Sequence, residues 1–331
     1  MQKTILIITD NLPDQINGVV TTYKNLETCA VLDGYNVVYL TPGDFGYIDC
    51  PRYNEVKIAY PRKMGKKIEE ICPDYIHIAT EGPLGVWARK YLSKHNIRHN
   101  TAYHTKFPEG LKKLFGVPEN ITWKFVRWFH KHSGKVLTTT ESMVQELKKH
   151  GFDGEVIPWT RGVDRTIFNP SYRDEWRGQE KILLCVSRIS KEKNLEKFFE
   201  MHYPNSYKIM VGDGPMRKIY EDKYPDVKFV GFKTGKDLAE YYANADVFVF
   251  PSKWETFGIV MIEAMACGTP VAAYPCQGPM DVIEQGVTGF MEEDLATAVH
   301  RCLGINRDAV LEGSQRWSWD NAWKIFKENL L

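Results

Sequence analysis

Two α/β domains, each a doubly wound (Rossmann-like) parallel sheet covered by helices and facing a cleft, are what this sequence predicts, and three observations carry that reading. Its 331 residues are too many for one ordinary core. Short, nearly continuous apolar runs alternate with longer amphipathic stretches, as strands buried on both faces require. A charged, aperiodic segment over residues 168–180 splits the alternation into two sets.

In the first set, strands are predicted over residues 4–8, 36–40, 75–78, 100–104 and 135–139, with helices over 19–32, 84–95, 121–132 and 142–150. In the second, strands are predicted over 181–187, 207–211, 227–230, 247–250 and 270–274, with helices over 237–243 and 258–266. The domains then run 1–167 and 168–317. A closing helix over 318–331 carries Trp319, Trp323 and Phe326 on an apolar stripe suited to packing back on the first domain. In open parallel sheets, ligands bind beyond the carboxyl ends of the strands. Functional residues are therefore expected just after strands, in the cleft that two such domains leave.

Composition narrows the function classes. With 43% hydrophobic and 26% charged residues, both halves can bury a core. Lys plus Arg number 43 against 42 for Asp plus Glu, which argues against a dedicated nucleic-acid binder. Seven scattered cysteines contain no CxxC pair, so neither a zinc site nor a disulfide framework is expected, and reduced thiols in the cytoplasm are. The apolar run over 5–8 is too short for a signal peptide, and no run is long enough to span a bilayer. A cytoplasmic protein, at most resting on a membrane surface, is the expectation.

Glu255-Thr-Phe-Gly-Ile-Val-Met-Ile-Glu263 carries the sharpest chemistry. A helix is expected to open near Gly258 and to stop at Cys267-Gly268-Thr269-Pro270, where glycine caps and proline cannot continue. Glu255 then stands at the helix entrance and Glu263 inside it. About eight residues of helix span roughly 12 Å, too far for two carboxylates to act on one bond. They are expected instead to grip two ends of an elongated ligand. Between them, the amides of Phe257, Gly258 and Ile259 offer an anion site at a positive helix end. A capping Glu255 and a salt-bridged Glu263 are the bland alternative, and the commoner fate of a lone pair of glutamates.

Other strand ends converge on the same task. After residue 187, Arg188 can fork onto phosphate oxygens and Lys193 adds a compact positive charge, with surface charges capping a helix the equal alternative for this run alone. Two cations and a helix N-terminus can stabilise a departing diphosphate without a metal. Gly212 and Gly214, in Val211-Gly-Asp-Gly-Pro215, bring backbone close to a ligand, with a purely structural turn an almost equal alternative, and Gly231-Phe232-Lys233 suits recognition of a base. Residues 231–236 are not a P-loop, because the spacing is one residue short and Asp237 replaces the Ser or Thr.

Read in order with A-D-V-F-V-F-P-S and G-V-T-G-F, these motifs resemble the donor domain of GT-B glycosyltransferases, specifically family 4 (glycosyl transferases group 1). The E-x7-E motif within that series is highly specific. The resemblance implies the GT-B architecture, with Arg188 and Lys193 on a diphosphate and Glu263 on ribose hydroxyls. It further implies Glu255 and the amides of Phe257, Gly258 and Ile259 on the sugar, Gly212 and Phe232 among the donor-binding residues, and retention of anomeric configuration.

The first half has weaker marks at its own strand ends. They are Asp10, Gly18 at a helix opening, Thr80-Glu81-Gly82-Pro83, Tyr103-His104, and Trp159-Thr-Arg161-Gly-Val-Asp164. Thr80 suits an N-cap and Pro83 a first helical turn. A lone histidine is more often structural than catalytic, yet His104 falls where the cleft is expected. These segments resemble the acceptor-domain signatures of bacterial-type α-mannosyltransferases and glycolipid glycosyltransferases. That implies Gly18 near the donor and His104 on the transferred sugar. Arg161 and Asp164 would line the cleft near the crossover, with Asp10, Glu81 and Tyr103 on the acceptor side. Residues 44–57 match no pattern and leave the acceptor open. The stretch 123–132 mixes cations with aromatics, so it could touch an anionic bilayer weakly; burial of its aromatics in the domain is the favoured reading.

The expected protein is a retaining hexosyltransferase moving mannose from GDP-mannose, its nucleotide-sugar donor, to a hydroxyl of a glycan or lipid-linked acceptor. No D-x-D occurs, so neither a metal nor another cofactor is expected. The rival readings are a UDP-hexose-dependent transferase and a nucleotide-sugar 2-epimerase, which would convert donor without acceptor. No nucleic-acid partner is expected, and the oligomeric state is open.

Overall fold

The computed structural model describes residues 2–15, 17–50, 53–174, 178 and 180–331. The chain divides into two compact units, Met1–Arg161 with Trp319–Leu331, and Gly162–Ser318. The expected boundary at 167/168 falls a few residues later than this one. Val163 joins the core of the second unit, and Ile167 and Phe168 pack against it, which draws the short segment after Arg161 into that unit. Of the expected linker, residues 175–177 and 179 lie outside the described residues.

The first unit is built on strands β1 (Thr4–Ile8), β2 (Asn36–Leu40), β3 (Tyr47–Cys50), β4 (Tyr53–Ala59), β5 (Tyr75–Ile78), β6 (Asn100–Tyr103), β7 (Val136–Thr138) and β8 (Val156–Pro158). Six of them form one parallel sheet in the order β2-β1-β5-β6-β7-β8, and β3 and β4 make a separate antiparallel hairpin. The unbroken apolar run of β1 serves both faces of its sheet. Leu6 and Ile8 pack on one side with Leu84, Ala88 and Leu92, while Ile5 and Ile7 pack on the other with Tyr23 and Leu26. That is the period of two expected of a strand covered on both faces. The helix Gly18–Leu32 starts where the side chain of Asn17 accepts hydrogen bonds from the amides of Val19 and Val20, both at 3.0 Å.

The closing helix Trp319–Glu328 belongs to this unit. Trp323 and Phe326 enter the core beside Ile5 and Ile7, and the indole of Trp159 donates to the carbonyl of Ala322 at 2.9 Å. In the helix Glu119–His130, Trp123, Val126 and Phe129 are buried, and Trp123 stacks on His150 at 3.9 Å between centroids. The aromatics of that stretch are thus core residues in the main, although Ile121 and Trp128 remain exposed.

The second unit carries β9 (Lys181–Val186), β10 (Ser206–Val211), β11 (Val227–Gly231), β12 (Val247–Phe250), β13 (Val271–Ala273) and β14 (Gly289–Met291). They form a parallel sheet in the order β11-β10-β9-β12-β13-β14. The order reverses at β9, whose neighbours are β10 and β12. Such a reversal opens a crevice at the carboxyl edge, because the connections on its two sides leave in opposite directions. The helix Ile259–Ala266 follows β12 and buries Met261, Ile262 and Met265 against Phe248 and Phe250. All seven cysteines are free. Among the described residues, no helix is long and apolar enough to cross a membrane.

Candidate functional site

At the carboxyl edge of the second sheet, the exits of β9, β10 and β11 are laced together by backbone. Ser187 N donates to Val211 O at 3.1 Å, Ile189 N to Asp213 O at 2.9 Å, and Gly212 N to Gly231 O at 2.9 Å. Gly212 (φ +138°) and Gly214 (φ +158°) are required by this lacing. A Cβ on the first would stand 1.9 Å from the Ser187 oxygen, and one on the second 2.5 Å from that of Ile189. Of the two roles the sequence offers these glycines, approach by a ligand and a structural turn, the structure shows the neighbouring exit loop approaching them. Phe232, next along, presents its ring outward at 47% exposure.

The reversal between β9 and β12 is bridged by two side-chain contacts. Lys193 Nζ donates to Glu255 Oε2 at 3.0 Å, and Asn194 Nδ2 donates to Pro251 O at 2.9 Å. Asn194 sits at φ +55°, a left-handed conformation asparagine tolerates, and this turns its side chain across the gap. Glu255 raises the Lys193 pKa, against the opposing pull of burial, so the ammonium keeps its charge through the neutral range. An ammonium has three donors, so Lys193 can hold Glu255 and a further anion together. Arg188 projects from the same β9 exit loop and is exposed.

The helix after β12 opens where its sequence places it, at Gly258. Gly258 is its N-cap, at φ +83°, and the first helical residue is Ile259. Glu255 therefore stands in the loop that leads into the helix. The left-handed Gly258 ends the loop, and a Cβ there would strike the Met261 side chain at 2.8 Å. No backbone carbonyl takes the amides of Phe257, Gly258 or Ile259 among the described residues. Glu263 lies inside the helix, where Tyr242 Oη donates to its Oε2 at 3.0 Å. Burial pushes the Glu263 pKa up to about 7, with the Tyr242 hydrogen bond opposing.

In the first unit, the expected residues divide between structural and open roles. Asp10, after β1, accepts from the Thr80 hydroxyl at 2.7 Å and from the Leu84 amide at 2.7 Å, tying β1 to the start of the helix Pro83–Lys94. Burial raises its pKa to about 6 against those hydrogen bonds. Thr80 is thus not that helix's N-cap; Gly82 holds the position, and Asp10 supplies the acceptor from another strand. Gly18 is the first residue of its helix, and its carbonyl accepts from the Thr22 hydroxyl at 2.7 Å. Glu81 is turned inward, with His130 Nε2 at 3.6 Å. Tyr103 is a core residue beside Trp123 and Val126, so its ring lines no surface. Asp164, in the second unit, caps a turn by accepting from Thr166 N at 2.9 Å and Thr166 Oγ1 at 2.6 Å.

His104 and Arg161 come together. His104 is 6% exposed and Arg161 3% exposed, and the guanidinium donates to His104 Nδ1 at 2.8 Å. Tyr23 Oη stands 2.9 Å from the other ring nitrogen and 2.7 Å from His77 Nε2. Burial lowers the His104 pKa well below the ordinary histidine range, with Arg161 adding to it, so the ring is neutral. The sequence assigns no role to Tyr23, His77, Asn194 or Tyr242. The tyrosines sit at ordinary core spacing in their helices, and only Asn194, beside a lysine at a strand exit, carried any local signal.

Comparison with known proteins is consistent across the chain. The profile described as Glycosyl transferases group 1 matches residues 171–300, and that described as Glycosyltransferase Family 4 matches residues 16–166. A GDP-mannose-dependent alpha-mannosyltransferase of Corynebacterium glutamicum is 26% identical, over 96% of this chain and 86% of its own. A protein of the same description from Mycobacterium tuberculosis is 30% identical, over 85% of this chain and 78% of its own. Among solved structures, sucrose-phosphate synthase from Thermosynechococcus elongatus matches with a TM-score of 0.81 at 20% identity, covering 99% of this chain and 98% of that one. At that identity the likeness speaks for the fold alone.

Proposed function

The chain belongs to glycosyltransferase family 4, and from that premise we propose that it transfers mannose from GDP-mannose, with retention, to a hydroxyl of a glycan or glycolipid. Its two doubly wound units are the GT-B fold, and the enzyme is a hexosyltransferase that uses a nucleotide-sugar donor. The choice of mannose and of GDP rests on the descriptions of the two mannosyltransferase relatives. The observation that carries the chemistry is the Lys193–Glu255 pair across the strand-order reversal, directly before the amides of residues 257–259.

In this reading Lys193, Arg188 and those amides receive the negative charge that builds on the diphosphate as the bond from the sugar C1 to phosphate breaks. They take the place a metal ion fills in other transferases. Glu255, held by Lys193, faces the sugar as a hydrogen-bond acceptor and is tied too closely to serve as a covalent nucleophile. Substitution then proceeds on the face the diphosphate leaves. The acceptor oxygen bonds C1, and its proton passes to the departing phosphate oxygen. Phe232 offers its exposed ring to the base, and Glu263 takes the ribose hydroxyls. In the first unit, His104 is the residue assigned to the transferred sugar and stays neutral throughout.

A titration panel of GDP-mannose, UDP-hexoses and ADP-glucose at pH 6 and pH 8 tests the donor assignment. Glu263, with its pKa raised to about 7, favours its protonated form in the free enzyme. For folding, that contribution is present below the ordinary carboxyl range and is lost as pH rises from about 4.5 through 7. Ribose hydroxyls donate to the ionised form, so binding reverses the preference. GDP-mannose affinity is expected to rise about tenfold from pH 6 to pH 8, and Glu263→Gln to flatten that rise. A nucleotide sugar has no phosphate titrating in this range, so the slope reports the protein. Binding of UDP-hexoses alone overturns the donor, and a pH slope unchanged in Glu263→Gln overturns the role of Glu263.

A further inference from the structure

Four buried polar side chains of the first unit form a hydrogen-bonded chain that the proposed function does not explain. Arg161 Nη2 lies 2.8 Å from His104 Nδ1, His104 Nε2 lies 2.9 Å from Tyr23 Oη, and Tyr23 Oη lies 2.7 Å from His77 Nε2. The members come from the helix Gly18–Leu32, from β5, from the exit of β6 and from the segment after β8. Aromatic rings wall the chain in. Trp159 stands 5.8 Å from Tyr23 and 5.7 Å from His104 between centroids, and Phe326 packs edge-on to His77 at 4.9 Å. The Arg161 guanidinium lies 4.4 Å over the Trp159 ring and also donates to the carbonyls of Trp159 and Thr160.

Every proton in this chain has an assigned place. A guanidinium only donates, so His104 Nδ1 presents its lone pair and the imidazole hydrogen is on Nε2. That N–H donates to Tyr23 Oη, which leaves the tyrosine hydrogen free to donate to His77 Nε2. His77 then carries its own hydrogen on Nδ1, a buried atom that meets no acceptor among the described residues. The opposite direction would set an N–H of His104 against an N–H of Arg161. An imidazolium at His104 would do the same, with like charges facing each other.

We propose that Tyr23 is a positioning residue for glycosyl transfer, the hub of a one-way relay from Arg161 to His77 that holds His104 in a single orientation as its Nε2–H tautomer. This rests on the assignment of His104 to the transferred sugar. With both ring nitrogens engaged, the imidazole is not a free acid or base. Its contribution is a fixed neutral shape, and Tyr23 keeps the ring from turning over. Burial and the nearby Arg161 charge lower the pKa of His77 to about 3 and that of His104 well below the usual range, in keeping with neutral rings along the relay.

The experiment uses the full chain labelled with 15N-histidine, with kinetics on the same preparations. Two-bond proton–nitrogen spectra are expected to show His104 as the neutral Nε2–H tautomer in the wild type and as a mixture in Tyr23→Phe. Tyr23→Phe should lower kcat about 10- to 100-fold, with the donor KM changed less than about threefold. His77→Leu, which removes the terminal acceptor, should behave like Tyr23→Phe. His77→Gln, which restores an acceptor oxygen, should recover about tenfold of the loss. An Nδ1–H or charged His104 in the wild type overturns the relay. A folded Tyr23→Phe chain with kcat within about twofold of wild type, and only its melting temperature lowered, overturns the positioning role. A wild-type chain that transfers no sugar overturns the functional reading, whereas the tautomer spectra still decide the relay.

Discussion

Lys193→Ala is expected to lower kcat by about a hundred- to a thousandfold at saturating donor, the largest catalytic loss of any single substitution in the second unit. Lys193 stands at the end of a short turn after β9, beside the exit of β12, and keeps its proton because Glu255 faces it at 3.0 Å. A diphosphate gains negative charge as the sugar leaves, so a fixed ammonium there acts more strongly on the transition state than on the bound donor. The donor KM should change far less than kcat. Lys193→Arg restores a charge but not the compact point charge, and its expected recovery is partial. Release of nucleoside diphosphate at saturating donor measures both variants. Wild-type turnover in a folded Lys193→Ala chain would remove Lys193 from the leaving-group role.

Gly212→Ala is expected to cost at least about 3 kcal/mol of stability, which lowers the melting temperature of the second unit by about 6 °C or more. Its Cβ would lie 1.9 Å from the Ser187 carbonyl oxygen, and φ is +138°. Both obstacles are backbone, so no side chain can turn aside to relieve them. Relief requires the β10 exit to lift off the β9 exit, breaking the bonds from Ser187 N to Val211 O and from Gly212 N to Gly231 O. Gly46→Ala is the control. Its Cβ would meet nothing within 4 Å, and its φ lies outside the left-handed region, so a change under about 0.5 kcal/mol is expected. Thermal unfolding of the intact chain separates the two. Equal melting temperatures would show that the lacing of the exits does not hold this edge together.

Much of the fold was legible because parallel strands buried on both faces leave unbroken apolar runs. Thr4–Ile8, Asn36–Leu40, Tyr75–Ile78 and Val247–Phe250 fall where those runs predict. The hairpin Tyr47–Cys50 with Tyr53–Ala59 did not stand out, since its sequence mixes apolar with polar residues, with Tyr47 and Ile48 exposed and Lys57 paired to Asp49. Strands β8 and β14 have three residues each, one ending on Pro158 and the other opening on Gly289, so neither leaves an apolar run. Glu255 and Glu263 were legible as a pair. So was the helix start near Gly258, but not its left-handed backbone, because such a glycine looks the same in sequence as a helical one. The Lys193–Glu255 contact joins residues brought together by strand order, which no local spacing records. His104 and Arg161 both stood out in their own motifs, but nothing local joins them to each other or to Tyr23 and His77, which are distant in sequence.

Proton and phosphorus NMR of GDP-mannose incubated with the enzyme and an alkyl mannoside or glycolipid acceptor test the central claim, retaining transfer of mannose from GDP-mannose, most directly. The predicted result is GDP released in step with a new α-linked mannosyl anomeric signal, and no change in the donor when acceptor is left out beyond slow hydrolysis. A β-linked product, conversion of the donor without acceptor, or consumption of a UDP-hexose while GDP-mannose stays intact would contradict it.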